Sequence, residues 1–265
     1  MSVRPIVKTI VLLAGLWLPA GYAPLAYAAN PPKQAISDDA RDAVAQMGKT
    51  LQAEAFSFQA RTLRVYADTN GQPLHIAHSM KVTVHRPDRV LVDLTGDDGS
   101  TRMIYDGKTL ILFGVDAKKY ASFPAPNTIQ GMLEQVMGRA GVDFPLSDFL
   151  TDSPDKSFLS GVTSGREVNT VTIDGVPCRH LFFTQPPGIE LELWVEKNDR
   201  SLPRRLIVTY RNLPGQPNYV AEFFDWNFSV HPTDADFIFQ PPEGSERIEL
   251  KPAVTVVTKP KGDKR

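Results

Sequence analysis

Leu74-His75-Ile76-Ala77-His78-Ser79-Met80-Lys81-Val82-Thr83-Val84-His85-Arg86-Pro87 decides how the chain is built. Leu74, Ile76, His78, Met80, Val82 and Val84 fall on one side of an extended backbone, and the intervening residues on the other. That two-residue period predicts a long strand with one covered face. Upstream, Asp68-Thr69-Asn70-Gly71 is a turn in which Asn-Gly is a strong hairpin signal. Before it, Phe56, Phe58 and Ala60 alternate with polar residues; the apolar phase then moves to Leu63 and Val65, which predicts a bulge in that strand. Downstream, Val90, Val92 and Leu94 make a further strand, ended by Asp97-Asp98-Gly99. Met103–Tyr105 and Leu110–Phe113 form a hairpin around Asp106-Gly107, and Lys119–Phe123 adds a short strand.

The same grammar returns after residue 160. Val168–Ile173, Asp174-Gly175 and Cys178–Thr184 read as a hairpin. Ile189, Leu191, Leu193 and Val195 alternate with Glu190, Glu192, Trp194 and Glu196, which predicts an antiparallel strand whose acidic face is solvated. Leu206, Val208 and Tyr210 continue the sheet, and Tyr219–Val230 is an aromatic strand. Two helices interrupt the strands. Ser37 is an N-cap with Asp38 and Asp39 in the first turn, ahead of Ala40, Ala43, Val44, Met47 and Leu51 on one side. After Pro124-Ala125-Pro126, Asn127 is the expected cap, with Gln130 completing a capping box. Ile129, Met132, Leu133, Val136, Met137 and Ala140 then define one helical face. That face suits a helix packed on the sheet. Its methionines also suit a lid over varied apolar ligands, since methionine is flexible and polarizable. Leu146–Leu150 reads as a helical turn.

The first residues carry a different signal. Arg4 and Lys8 precede the apolar run Thr9–Gly21, and Ala26-Tyr27-Ala28 places small residues at a cleavage site. Residues 1–28 therefore read as a secretory signal peptide, 29–36 as a lead-in, 37–250 as one domain, and 251–265 as a basic disordered tail. Cleavage removes two cations and no acid, taking the net charge from −1 to about −3, which gives no global attraction to nucleic acid. The chain has one cysteine, Cys178. An exported chain with one cysteine has no internal disulfide, and none follows the cleavage site to carry a lipid anchor. These features predict a soluble monomer in the periplasm of a Gram-negative bacterium, with no integral membrane segment after cleavage.

Local catalytic motifs are missing: no Gly-x-Ser-x-Gly elbow, phosphate-binding glycine loop, His-Glu-x-x-His or Cys-x-x-Cys occurs. His75, His78 and His85 are spread by strand parity rather than gathered at metal-ligand spacing. His78, within the apolar face, reads as a buried histidine with a hydrogen-bond partner or as a polar contact inside a cavity. Cys178 and His180 face the same side of one strand, so a dyad is conceivable beside the simpler reading of a buried, inert thiol. Neither a metal nor a cofactor is implied, and the chain reads as a binding protein rather than an enzyme.

Four motifs in order carry a family resemblance: Val82-Thr83-Val84-His85-Arg86-Pro87, Tyr105-Asp106-Gly107-Lys108-Thr109-Leu110, Leu193-Trp194-Val195-Glu196 with Leu202-Pro203, and Phe237-Ile238-Phe239-Gln240-Pro241-Pro242-Glu243-Gly244. The order resembles the LolA-like superfamily of periplasmic lipoprotein carriers, and within it an uncharacterised branch of predicted periplasmic proteins. The resemblance implies a mainly β, α+β fold: an unclosed antiparallel β-barrel of about eleven strands with helices over its concave face. It further implies a soluble carrier that holds a lipid or lipoprotein acyl chain between sheet and lid. The alternative is a periplasmic sensor or protein-interaction module of the same fold, regulating an anti-sigma factor, with envelope proteins as partners. Strand parity and the methionine-bearing helix nominate Phe56, Phe58, Met80, Val82, Val84, Val92, Met132, Leu133, Met137, Leu191 and Leu193 as lipid-contacting residues. Arg86 matches the carriers' lid and release arginine; read by itself, it is a surface arginine before a turn.

Overall fold

The computed structural model describes residues 35–67, 70–140 and 144–249, so the leader, most of the lead-in and the basic tail lie outside the described residues. Helix α1 (Asp38–Leu51) begins where Ser37 Oγ accepts from the Ala40 amide at 3.4 Å. Six strands follow: β1 (Ala55–Ala67), β2 (Pro73–His85), β3 (Arg89–Gly96), β4 (Gly99–Tyr105), β5 (Thr109–Gly114) and β6 (Lys119–Pro124). Helices α2 (Ile129–Ala140) and α3 (Pro154–Phe158) flank a 3₁₀ turn at Ser147–Phe149. Strands β7 (Ser164–Ile173), β8 (Val176–Gln185), β9 (Ile189–Glu196), β10 (Pro203–Tyr210), β11 (Asn218–Asn227) and the two-residue β12 (Glu246–Arg247) complete the order.

The strands form one sheet, β12-β6-β5-β4-β3-β2-β1-β11-β10-β9-β8-β7, whose two ends do not meet. It consists of two antiparallel meanders joined where β1 pairs with β11; β12 alone runs parallel to its neighbour. Among the described residues there are twelve strands rather than about eleven, because β12 joins the edge, where the sequence shows no alternation. Residues from β3 and β5 and from β8, β9 and β10 belong to one buried cluster with the same helices, so the sheet curls around them. Fold class and arrangement are those implied by the resemblance.

Several local expectations need correction. β1 keeps its phase after Ala60: Thr62 is buried, while Leu63 is 36% exposed on the outer face. The bulge lies in the partner strand instead. Ser57 faces Asn227 and Gln59 faces Phe224, leaving an extra residue in β11, and Asp225 adopts φ 53° there. This shift turns Trp226 and Phe228 inward, so that Trp226 stacks on Phe58 at 4.5 Å and Phe228 on Phe56 at 5.7 Å. At α2 the cap is Thr128, not Asn127: its Oγ1 accepts from the Gly131 amide at 3.1 Å, and Gln130 bonds Glu134 instead. The helix α3 had no expected counterpart; Pro154 at its first position supports it.

Candidate functional site

Two kinds of filling share the concave face. Beneath α1 and α3 it is solid. Phe56, Phe58, Phe149, Phe158, Phe183 and Phe223 interlock ring against ring, with centroid separations of 5.4–6.4 Å. Beneath α2 the sheet offers Val, Leu, Met and Thr side chains, which reach less far than rings. A cavity of about 290 Å³ remains there. Its sheet wall is Thr62, Arg64 and Tyr66 of β1, His78 and Met80 of β2, Val92 and Leu94 of β3, Thr101 and Met103 of β4, Leu112 of β5 and Tyr219 of β11. Its cover is Leu133 and Val136 of α2 with Phe144 and Pro145.

The cavity is apolar through most of its depth and polar at one end. There His78 Nε2 lies 2.6 Å from Asp98 Oδ1. The imidazole can lie across β3 because the facing residue is Gly96, where a Cβ would sit 2.3 Å from the ring. The Arg64 guanidinium stands 5.0 Å from the Tyr219 ring centroid and 5.8 Å from that of Tyr66. His78 is hydrogen-bonded and faces the cavity, and it is half-buried rather than buried.

The cover is fastened at its start. The Ile129 amide donates to Pro87 O at 3.1 Å, Gln135 Nε2 to Pro124 O at 2.7 Å, and the Tyr105 hydroxyl to Pro126 O. Burial is the main cause that pushes the Tyr105 hydroxyl up to about 12, which keeps it a donor. Along its other flank, α2 faces a polar groove of about 450 Å³ bounded by Ser147, Asp148, Thr151, Lys156 and Ser157. Burial pushes the Asp148 carboxyl up to about 6.

Arg86 is not a surface arginine. Its Nη1 donates to Leu150 O and its Nη2 to Leu51 O, both at 2.8 Å, while Asp152 lies 3.4 Å away and the guanidinium faces the Phe56 ring. It ties the C-terminal carbonyl of α1 to the segment that follows α2. Desolvation by burial lowers its pKa from the ordinary arginine value.

Of the nominated residues, Met80, Val92 and Leu133 line the cavity. Phe56, Phe58, Val82, Val84, Met132, Leu191 and Leu193 lie in the packed cluster, and Met137 is half-buried beside the polar groove. Sequence reasoning missed Thr62, Arg64, Tyr66, Leu94, Met103, Leu112, Phe144 and Tyr219. Continuing the β1 alternation past Ala60 finds the first three. The Cys178–His180 dyad is not formed. The thiol, pushed up by burial, bonds Val176 O at 3.4 Å, and His180 bonds Glu192 at 2.8 Å while stacking on Trp194 at 4.1 Å. The acidic ladder is paired rather than merely solvated: Glu190 meets Arg211 at 3.7 Å and Glu196 meets Arg204 at 3.6 Å. Among the described residues, no group of three or more His, Cys, Asp or Glu could hold a metal ion, and no helix is long and apolar enough to cross a membrane.

A family described as "Predicted periplasmic protein (DUF2092)" matches residues 40–251, most of the chain. The chain belongs to the DUF2092 family. The family's description places this DUF2092 chain in the periplasm, as the leader-like start leads one to expect. No curated protein matches it. Similar solved structures include the Mycobacterium tuberculosis lipoprotein LppX, at 18% identity and TM-score 0.46, covering 74% of this chain and 99% of that one. A LolA superfamily protein from Nitrosomonas europaea aligns at 13% identity and TM-score 0.38, covering 75% and 97%. MucB from the Pseudomonas aeruginosa MucA/MucB complex aligns at 19% and 0.42, covering 76% and 61%.

Two outcomes follow from this geometry. Arg86→Leu strips the charged donors from Leu51 O and Leu150 O. It should lower stability by about 2–4 kcal/mol in urea unfolding and speed hydrogen exchange across residues 147–158; unchanged protection there contradicts the bracing role. For Asp148, the stabilisation from holding its proton is fully present below about pH 4 and is lost as pH rises through about 6. Asp148→Asn should therefore raise stability at pH 7 by on the order of 2 kcal/mol and flatten the urea midpoint between pH 4 and 7; an equally steep profile in the variant contradicts it.

Proposed function

We propose that the chain is a periplasmic binding or carrier protein that holds the acyl chain of a lipid or lipoprotein non-covalently in the cavity beneath α2, without catalysis. The cavity carries this reading: it lies between an apolar sheet wall and an amphipathic helix, the relation of pocket to lid. Met80, Val92 and Leu133 contact the chain. Phe56, Phe58, Val82, Val84, Leu191 and Leu193 form the packed floor that keeps the cavity from collapsing, while Met132 and Met137 belong to the lid helix. In this reading α2 is the lid, hinged at its proline-tethered start and free to lift along the polar groove. Arg86 fixes the segment that receives the far end of the lid, and loss of its two carbonyl bonds favours release.

Magnitudes favour a single chain. Ligand pockets span roughly 300–1,000 Å³, and this one, at about 290 Å³, stands at the lower edge. Each buried CH₂ contributes about 0.8 kcal/mol, so ten of them supply roughly 8 kcal/mol before ordering costs. That suffices to take an acyl chain from a bilayer without nucleotide hydrolysis at the protein itself. The functional unit comprises residues 37–250, after removal of residues 1–28 and with 251–265 as a basic tail. It acts as a monomer, with donor and acceptor proteins of the envelope as partners.

Native mass spectrometry of protein purified from a membrane-rich extract, followed by organic extraction, should show a sub-stoichiometric adduct of one acyl chain per protein. A lipid-free protein that takes up no acyl probe overturns the reading. A lipid-free protein recovered with a protein partner supports the sensor alternative instead.

A further inference from the structure

The apolar side chains that the fold leaves in water gather at one end of the sheet. Seven large ones are exposed among the described residues, and four of them, Tyr66, Leu74, Val115 and Leu213, stand where strands turn beside the cavity. Tyr66 and Leu74 face each other across β1 and β2 and are 45% and 52% exposed. Leu213, 52% exposed, lies in the β10–β11 loop, which projects at the same end because Arg64 faces Tyr219 across β1 and β11. Val115, 42% exposed, follows Gly114, which faces Thr101 of the cavity wall. Tyr66 itself lines the cavity, and Leu74 shares the inward parity of His78 and Met80, so the concave face runs without a break from the hollow to this rim.

A single exposed leucine signifies little, but several around the mouth of a cavity mark a contact surface. Here they sit on three separate connections, not on one flat face. Separate apolar tips sink independently into a fluid lipid surface, with tyrosine at its polar boundary, whereas a rigid protein partner needs a contiguous buried core. The charges between the tips are engaged within the protein. Asp97 Oδ2 accepts from the Ala77 amide at 2.9 Å and Asp116 Oδ2 from the Ser100 amide at 2.6 Å. Glu190 meets Arg211 at 3.7 Å, and Lys119 meets Glu246 at 3.8 Å. With acids and bases offsetting one another, the rim matches a surface of no net charge rather than an anionic one. We propose that this end of the sheet docks on a zwitterionic phospholipid bilayer, its apolar tips inserting so that the cavity mouth meets the acyl chains. The purpose of that contact rests on the acyl-binding reading; the residues that make it do not.

Flotation of the exported chain, recovered from the periplasm without residues 1–28, measures binding to vesicles of phosphatidylcholine alone and of phosphatidylcholine mixed with phosphatidylglycerol. Binding to the two should agree within about threefold, and about 0.5 M NaCl should not release the protein. The double variant Leu74→Ser/Leu213→Ser should weaken vesicle binding by about tenfold or more while leaving calorimetric uptake of decanoate within about twofold. Val168→Ser, on the edge strand β7, should change neither; a loss equal to that of the double variant overturns the assignment to this rim. Thermal unfolding checks that the variants fold. If they do not, hydrogen exchange of the unaltered chain with and without vesicles decides: slowing at residues 70–76 and 211–217 is expected, and its absence there overturns the proposal. No vesicle binding, or binding that requires phosphatidylglycerol and is lost in salt, also overturns it, and retained decanoate uptake then leaves the acyl-binding reading standing. Vesicle binding through this rim without decanoate uptake supports the docking surface and overturns the acyl-binding reading.

Discussion

Side chains on the inner wall of a curved sheet reach only part of the way toward one another, so a broad half-barrel must be filled by something the sheet does not supply. Here the filling comes from helices, and it comes unequally. Under α1 and α3, phenylalanines from five separate elements join ring to ring, and those of β1 and β11 continue onto Trp226 and Phe228, closing the space. Under α2 the facing residues are Val92, Leu94, Met103 and Leu112, which lack the reach to meet Leu133 and Val136. Rings fill the concave face at one end, and a cavity is left at the other. The cavity is thus a local consequence of residue size on a continuous sheet, and it needs no separate domain.

The supports around the hollow follow the same logic. A cavity persists only if its walls cannot fall inward. Arg86 draws the end of α1 and the segment after α2 to one point through two carbonyls, and Tyr105 and Thr128 fix the start of α2. A buried arginine is costly unless its donors are used. Its two charge-assisted bonds and the contact with Phe56 offset part of that cost, Nε being buried without a hydrogen bond, and the Arg-Pro motif thereby gains a mechanical meaning in this chain. A polar groove of about 450 Å³ runs along one flank of α2, a feature compatible with the proposed lid.

Much of this was legible in the residues. The twelve-residue alternation of β2 and the i, i+3, i+4 spacing of α2 fixed both elements and their buried faces, because period alone decides which side chains share a surface. What stayed hidden has a physical source. Thr62 and Arg64 point inward, against the rule that polar residues face water, and the apolar Leu63 and Val65 beside them imitate a change of phase. The bulge at Asp225 follows from pairing across a distant strand, which no local window contains. Phe58 and Met80 carry the same inward parity, yet one meets rings and the other meets space. That distinction depends on the sizes of residues on other strands. Parity locates a face; only the assembled sheet separates floor from hollow.

The space beneath α2 is lined by Val136, and Val136→Phe puts a ring into it. Stability in urea and calorimetric uptake of decanoate, measured on the same protein, give the test. If the hollow exists, the variant keeps its stability to within about 1 kcal/mol and loses the ligand. If the site is packed core, overpacking lowers stability by about 1–3 kcal/mol, and that loss with unchanged uptake contradicts the account.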